Sequence, residues 1–98
     1  MRRIVFHPDA DWELEQAQSW YEGRVAGLGQ KFFSEIESAI RSILGSPDTW
    51  PNYVAGTRRF LVHRFAFAII YRHDDHAIQV IAVMHLKRRP GYWKPRKF

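Results

Sequence analysis

The chain has 98 residues, 46% of them hydrophobic and 15% aromatic, with 15 Lys/Arg against 10 Asp/Glu for a formal net charge of +5. That length holds one domain, residues 1–98, and excludes a multi-domain enzyme. The absence of cysteine excludes disulfides and thiolate metal centres and suits a reducing cytoplasm, and no apolar run approaches the roughly 20 residues of a membrane span.

Arg3–Phe6 predicts a short strand, with two β-branched residues and a Phe stopped by Pro8. The segment before it is charged and too briefly apolar for a signal peptide. Pro8 suits the first position of a helix, where its missing N–H costs nothing. Asp9, Asp11 and Glu13 place negative charge where the helix dipole favours it. Ala10, Leu14, Ala17 and Tyr21 recur at helical spacing, with Trp20 beside them, and Gly23, Gly27 and Gly29 break the pattern. The first helix is therefore expected over Pro8–Glu22. The second is clearer: Phe32, Phe33, Ile36, Ile40, Ile43 and Leu44 form a stripe opposite Lys31, Glu35, Glu37, Ser38 and Arg41, and Gly45 and Pro47 end it. Two amphipathic helices joined by a short Gly-containing loop predict an antiparallel hairpin.

Asp48–Thr57 is a connection bearing Pro, Asn and Gly, after which the period becomes β-like. Strands are expected at Arg59–His63, Phe67–Tyr71 and Ile78–Met84. Their short connectors suit antiparallel hairpins. The last strand is almost wholly apolar, which implies a central position covered on both sides. The expected fold class is α+β, ordered β-α-α-β-β-β, with a helical hairpin packed on a small, mainly antiparallel four-stranded sheet.

Charge is unevenly spread. Residues 1–57 carry five Lys/Arg against eight Asp/Glu, whereas residues 58–98 carry ten against two. The second part favours an anionic partner: nucleic acid, an acidic protein or an anionic membrane. From Lys87 onward, six cations and three aromatics occupy twelve positions without an acid. Arginine forks match phosphate oxygens and exposed rings stack on unpaired bases. Arg58, Arg72, Lys87, Trp93, Lys94, Arg96 and Lys97 are thus candidate target-binding residues. The plainer reading is a solvated basic tail whose Tyr92 and Trp93 cover the sheet edge.

Arginine near His and Tyr could also cleave RNA, by activating a 2′-hydroxyl, stabilising phosphorane charge and protonating the leaving oxygen. The candidates are Arg59, Arg64, Arg88 and Arg89 as electrostatic clamps and His85 or Tyr92 as proton carriers, His being better matched to neutral pH. Strand alternation places Arg59 and His63 on one face. Against this stands the reading of sheet-surface charges and one hydrogen-bonded histidine. His73-Asp74-Asp75-His76 contains metal-ligand residue types but reads better as a polar turn, so no metal or other cofactor is expected. There is no Gly-rich phosphate loop, Ser nucleophile elbow or HExxH.

Phe6-His7-Pro8-Asp9-Ala10, Gly29-Gln30-Lys31-Phe32, Arg58-Arg59-Phe60-Leu61-Val62, Ala68-Ile69-Ile70-Tyr71-Arg72 and Ile81 through Trp93 together make the chain resemble the RelE/ParE toxin superfamily over nearly its whole length. The resemblance implies a cytoplasmic toxin neutralised by a small cognate antitoxin in a plasmid-stabilisation or stress module. One branch of the family cleaves messenger RNA on the ribosome without a metal; the other poisons DNA gyrase. In the ribonuclease branch, a sheet arginine, a basic residue closing the last strand and a tail Tyr or His do the work, roles that fall here on Arg59 or Arg64, Arg88 or Arg89, and His85 or Tyr92. The nearly balanced second helix departs from the lysine-rich helix of ribosome-dependent members, and the opening strand and helix look closer to the ParE side. Three functions follow: a gyrase-directed toxin, a metal-independent endoribonuclease and a non-toxic RNA-binding module. An antitoxin would lie across the helices and sheet as an extended or helical, acidic or amphipathic segment; a homodimer through that surface is the alternative.

Overall fold

The computed structural model describes residues 2–98. The elements follow the expected order: β1 (Arg3–Phe6), α1 (Pro8–Arg24), α2 (Leu28–Gly45), β2 (Arg58–Leu61), β3 (Phe67–His73) and β4 (Ala77–His85), with a short 3-10 turn at Val54–Gly56 before β2. The sheet order is β1-β4-β3-β2. β4 is indeed central, pairing parallel with β1 and antiparallel with β3, while β2 pairs antiparallel with β3.

α1 starts as its sequence dictates. Pro8 occupies the first turn, and the His7 ring caps it by accepting the Asp9 N–H at 3.0 Å. The helix runs two residues beyond the expected end because Glu22 and its neighbours stay helical up to Val25, whose N–H closes on Tyr21 O. Glu22 then caps the next helix, accepting the Gly27 N–H at 2.9 Å and the Gly29 N–H at 3.0 Å. Gly29 lies inside α2, where the two helices approach most closely. A Cβ there would sit 2.7 Å from the Gln18 carbonyl oxygen, so a residue with no side chain is required.

The two helices cover one face of the sheet. Leu14, Ala17, Phe32, Ile36 and Ile43 pack against Phe67, Ile69, Tyr71, Ile78, Val80 and Val83. The opposite face holds a smaller cluster, Ala68, Ile70, Ile81, Ala82, Met84 and Trp93, flanked by Tyr53 and Tyr92. Burying a large apolar side chain contributes roughly 1.5–3 kcal/mol, so both clusters matter to a chain of this size.

β2 is shorter than expected at its C-terminal end. Val62 donates its N–H to Phe67 O at 2.9 Å and closes a tight connection, so His63 belongs to the turn and shares no strand face with Arg59. Arg64 within this turn has φ 71°, a left-handed conformation uncommon for a residue with a side chain. Between β3 and β4 the register shifts: Ile70 pairs with Ala82 and Tyr71 with Val80, leaving Ile81 as a bulge. The bulge puts two successive residues, Ile81 and Ala82, into the same cluster. It also reverses which residues of β4 turn their backbone groups toward β1, with the consequences described below.

Candidate functional site

The centre of the basic region is an acid. Glu13 falls on the buried stripe of α1, between Ala10 and Ala17, and is 7% exposed. Its carboxylate accepts the Val83 N–H at 3.0 Å, the Tyr92 hydroxyl at 2.6 Å, and a two-pronged bond from Arg96, Nη1 to Oε1 and Nη2 to Oε2, both at 2.9 Å. Arg88 Nη1 stands 3.7 Å from Oε2. A fork-to-carboxylate pair of this kind is among the strongest of protein hydrogen bonds, and four donors satisfy an anion that burial alone would expel. Arg96 also donates to Ile81 O at 2.9 Å and approaches Asp9 at 3.6 Å. Glu13 is therefore not the simple dipole complement expected from its place near the start of the helix. The signal was present in the sequence: an acid in an apolar slot of the stripe Ala10, Glu13, Leu14, Ala17, matched by a surplus of tail cations.

The tail that Glu13 holds is packing, not a display of rings. Trp93 is fully buried beneath Tyr53, their rings stacked at 5.6 Å. The expectation that Trp93 turns outward to stack on a base is thus corrected: the sheet face beyond the helices needs a cover, and this ring supplies it. Tyr92 meets Trp93 edge-on, Arg88 lies over Tyr92 at 3.7 Å, and Arg59 lies over Tyr53 at 4.7 Å. A row of rings with a guanidinium at each end thus crosses the tail side of the sheet. Burial first, then the hydrogen bond to Glu13 and its charge, push the Tyr92 phenol well above its ordinary range. A proton carrier works best with a pKa near the working pH, so this hydroxyl is held as a donor to a carboxylate.

The other candidates divide between faces. Arg59 and Arg72 project to the tail side by strand alternation, as does the Tyr92 group. Arg58 is turned the other way and is engaged, its Nη1 donating to Trp50 O at 2.7 Å and Asp48 O at 3.1 Å. Arg96 is bound to Glu13, and both arginines are removed from any outward role in this conformation. Arg64 sits by Lys31 and Phe65 on the helix side, apart from Arg59 and Tyr92. His85 closes β4, its Nδ1 accepting the Lys87 N–H at 3.1 Å and its ring meeting Phe67 edge-on at 5.0 Å. Lys87, Arg89, Lys94 and Lys97 are exposed. The guanidinium groups gathered in the expectation are therefore spread over two sides of the sheet. The suggestive turn sequence resolves as a hairpin: Asp74 accepts the His76 and Ala77 N–H groups, which hold its carboxyl below the usual range, while His73 turns back to Asp48 at 3.0 Å.

Sequence reasoning missed a groove on the helix side, about 530 Å³ in volume, between α1 and the end of β4. Trp12 and Trp20, 60% and 56% exposed, rise from one side, two helical turns apart with Gln16 between them. Phe67, Val83 and His85 form the floor and Arg88 stands at the mouth. Trp12 went unremarked because it lies off the buried stripe of α1.

A family model described as "ParE toxin of type II toxin-antitoxin system, parDE" matches residues 4–90. The chain belongs to the ParE toxin family. Among solved structures, a chain from "Chromosomal ParDE TA system from P. aeruginosa" matches with a TM-score of 0.63 at 16% identity, covering 89% of this chain and 98% of that one. At that identity the likeness speaks for the fold, a ParE-like α+β arrangement of two helices on a mixed sheet. A search of curated proteins found no match. The ParE match ends at Pro90, so Tyr92, Trp93 and Arg96, the residues that Glu13 and the outer sheet face hold, lie beyond it. No helix among the described residues is long and apolar enough to cross a membrane.

Proposed function

We propose that this ParE-family chain is the toxin of a type II toxin–antitoxin module, neutralised in the cytoplasm by a cognate antitoxin and directed at DNA gyrase. The family match carries the reading. It is supported by the state of the groups a ribonuclease would need: Tyr92 is committed to Glu13 with its phenol pushed upward, and Arg64 stands on the other side of the sheet from Arg59. Binding a large anionic assembly asks less of convergence than proton transfer does, and the exposed Lys87, Arg89, Lys94 and Lys97 serve it as they stand. Expression without a partner should arrest growth, and purified protein added to gyrase and supercoiled plasmid should accumulate cleaved complexes. Unchanged supercoiling at excess protein would overturn the gyrase assignment.

One observation favours the endoribonuclease as a second reading: His85 and Arg88 line the same groove, an imidazole and a guanidinium open to one cavity. If that pair acts on messenger RNA, His85→Ala should relieve growth arrest and restore full-length messages. Constant message lengths in arrested cells would remove it.

A further inference from the structure

The groove has a feature beyond its apolar walls: its floor is an unfinished strand edge. Before the bulge, β4 offers its even-numbered backbone groups to β1, as in the 2.9 Å bond from His7 N–H to Val80 O. After the bulge the odd-numbered residues face that side. Leu86 N–H reaches across to Ala66 O at 2.9 Å, which fixes the even residues toward β3, and Phe67 spends its own carbonyl on Val62. β1 has ended by then, so side chains and a turn replace it. Arg96 serves Ile81 O, Glu13 serves the Val83 N–H, and the Arg88 N–H closes on His85 O at 2.9 Å. Two groups on this edge, Val83 C=O and His85 N–H, have no partner among the described residues.

These two leftover groups specify an occupant. An antiparallel strand exchanges both its bonds with one residue, and neither Val83 nor His85 has both groups free. A parallel strand instead spans two alternate residues: one incoming residue opposite Met84 would donate its N–H to Val83 C=O and accept the His85 N–H. We infer that β4 receives a parallel strand from a partner protein, laid in the row that β1 leaves vacant, with its backbone on Val83 and His85 and its side chains in the tryptophan groove. Pleating sends the residue opposite Met84 to the tail side and both its neighbours into the groove, toward Trp12 and Trp20. The partner segment therefore carries apolar residues at those two positions. Arg24 over the Trp20 ring at 4.4 Å and Arg88 at the groove mouth call for acidic residues flanking them. Strand addition of this kind draws affinity from the main chain and specificity from alternate side chains. Under the toxin–antitoxin reading, on which this rests, the segment belongs to the antitoxin.

The test uses the full chain, labelled with ¹⁵N, and the polypeptide encoded by the reading frame beside it. In the complex, exchange of the His85 amide should slow at least a hundredfold relative to the free chain. Trp20→Ala should weaken binding at least tenfold and leave the unfolding midpoint of the free chain unchanged. A complex that forms and relieves growth arrest while His85 exchanges at its free rate, as a helix lying in the groove would allow, overturns the strand and leaves the toxin reading standing. Protection of His85 that is present in the free chain and fades on dilution assigns the edge to a second copy and also overturns it. A neighbouring polypeptide that neither binds nor relieves arrest removes both readings together.

Discussion

The two faces of the sheet are covered by different means. On the helix side, Leu14, Phe32, Ile36 and Ile43 come from two helices, and the packing is shared among many side chains. On the other side a short C-terminal segment brings Trp93 against Ala68, Ile70, Ile81, Ala82 and Met84, and its hold on the rest of the molecule passes through Glu13. A cover distributed over many contacts loses stability in proportion to what is removed. A cover tethered to one buried carboxylate comes away as a unit, because each donor that loses Glu13 is left desolvated.

Substitutions on each face sharpen that contrast. Phe32→Ala removes a fully buried ring between the helices and the sheet, and the loss should be about 3–5 kcal/mol. Urea unfolding followed by far-ultraviolet circular dichroism and by tryptophan fluorescence should shift together, since the helix side belongs to the global transition. Glu13→Ala should cost about 3 kcal/mol, the low end for breaking a buried ion pair, because Arg88 and the exposed surface nearby can rehydrate in part. Here the two probes should separate: Trp93 fluorescence reports release of the tail at urea concentrations where the helical signal persists. Coincident transitions in Glu13→Ala would show that the tail is not an independent cover. The double variant Glu13→Leu with Arg96→Met, which removes both charges, should be more stable than Glu13→Ala.

Gly29→Ala tests the junction that carries the helix side. The new Cβ would meet the Gln18 carbonyl at 2.7 Å, which is backbone and cannot swing aside. Forcing the helices apart should cost roughly 1–3 kcal/mol. An unchanged melting midpoint would mean that the hairpin can open there freely.

The same contrast explains what was legible in the sequence. The helix side was, because Phe32, Ile36 and Ile43 repeat at helical spacing and the unbroken apolar run of β4 marks a strand covered on both faces. The four strands and two helices were found in order for that reason. The tail side was not, since its logic is a long-range pairing: Glu13 and Arg96 stand 83 residues apart and neither is unusual in its local setting. Charge counting registered the tail as basic without showing that Arg96 is spent internally and Arg58 is committed to Trp50 O and Asp48 O. The groove at Trp12 and Trp20 escaped for another reason. It exists because β1 stops at Phe6 while β4 continues to His85, a difference in strand length that no periodicity records.

The smallest effect expected at neutral pH is also the one that separates the faces by titration. Tyr71 on the helix side is fully buried, donates to Pro47 O at 2.7 Å, and has its phenol pushed up to about 12, chiefly by burial. Tyr92 on the tail side is raised as well, by burial and then by Glu13. Each group binds its proton more tightly folded than unfolded. Its contribution to stability is therefore complete below the unfolded value of about 10 and is lost as pH climbs toward the folded one. At pH 7, Tyr71→Phe costs about 1 kcal/mol, the worth of one hydrogen bond. Between about pH 10 and 11.5, where unmodified phenols begin to titrate, the wild-type protein should lose stability steeply and Tyr71→Phe should lose it less. Tyr92→Phe should flatten the loss recorded by Trp93 fluorescence while leaving the alkaline slope of the helical signal as in the wild type. Identical alkaline slopes in all three proteins, by both probes, would mean that neither phenol holds its proton through folding, and the distinction between the two covers would then have to rest on the carboxylate alone.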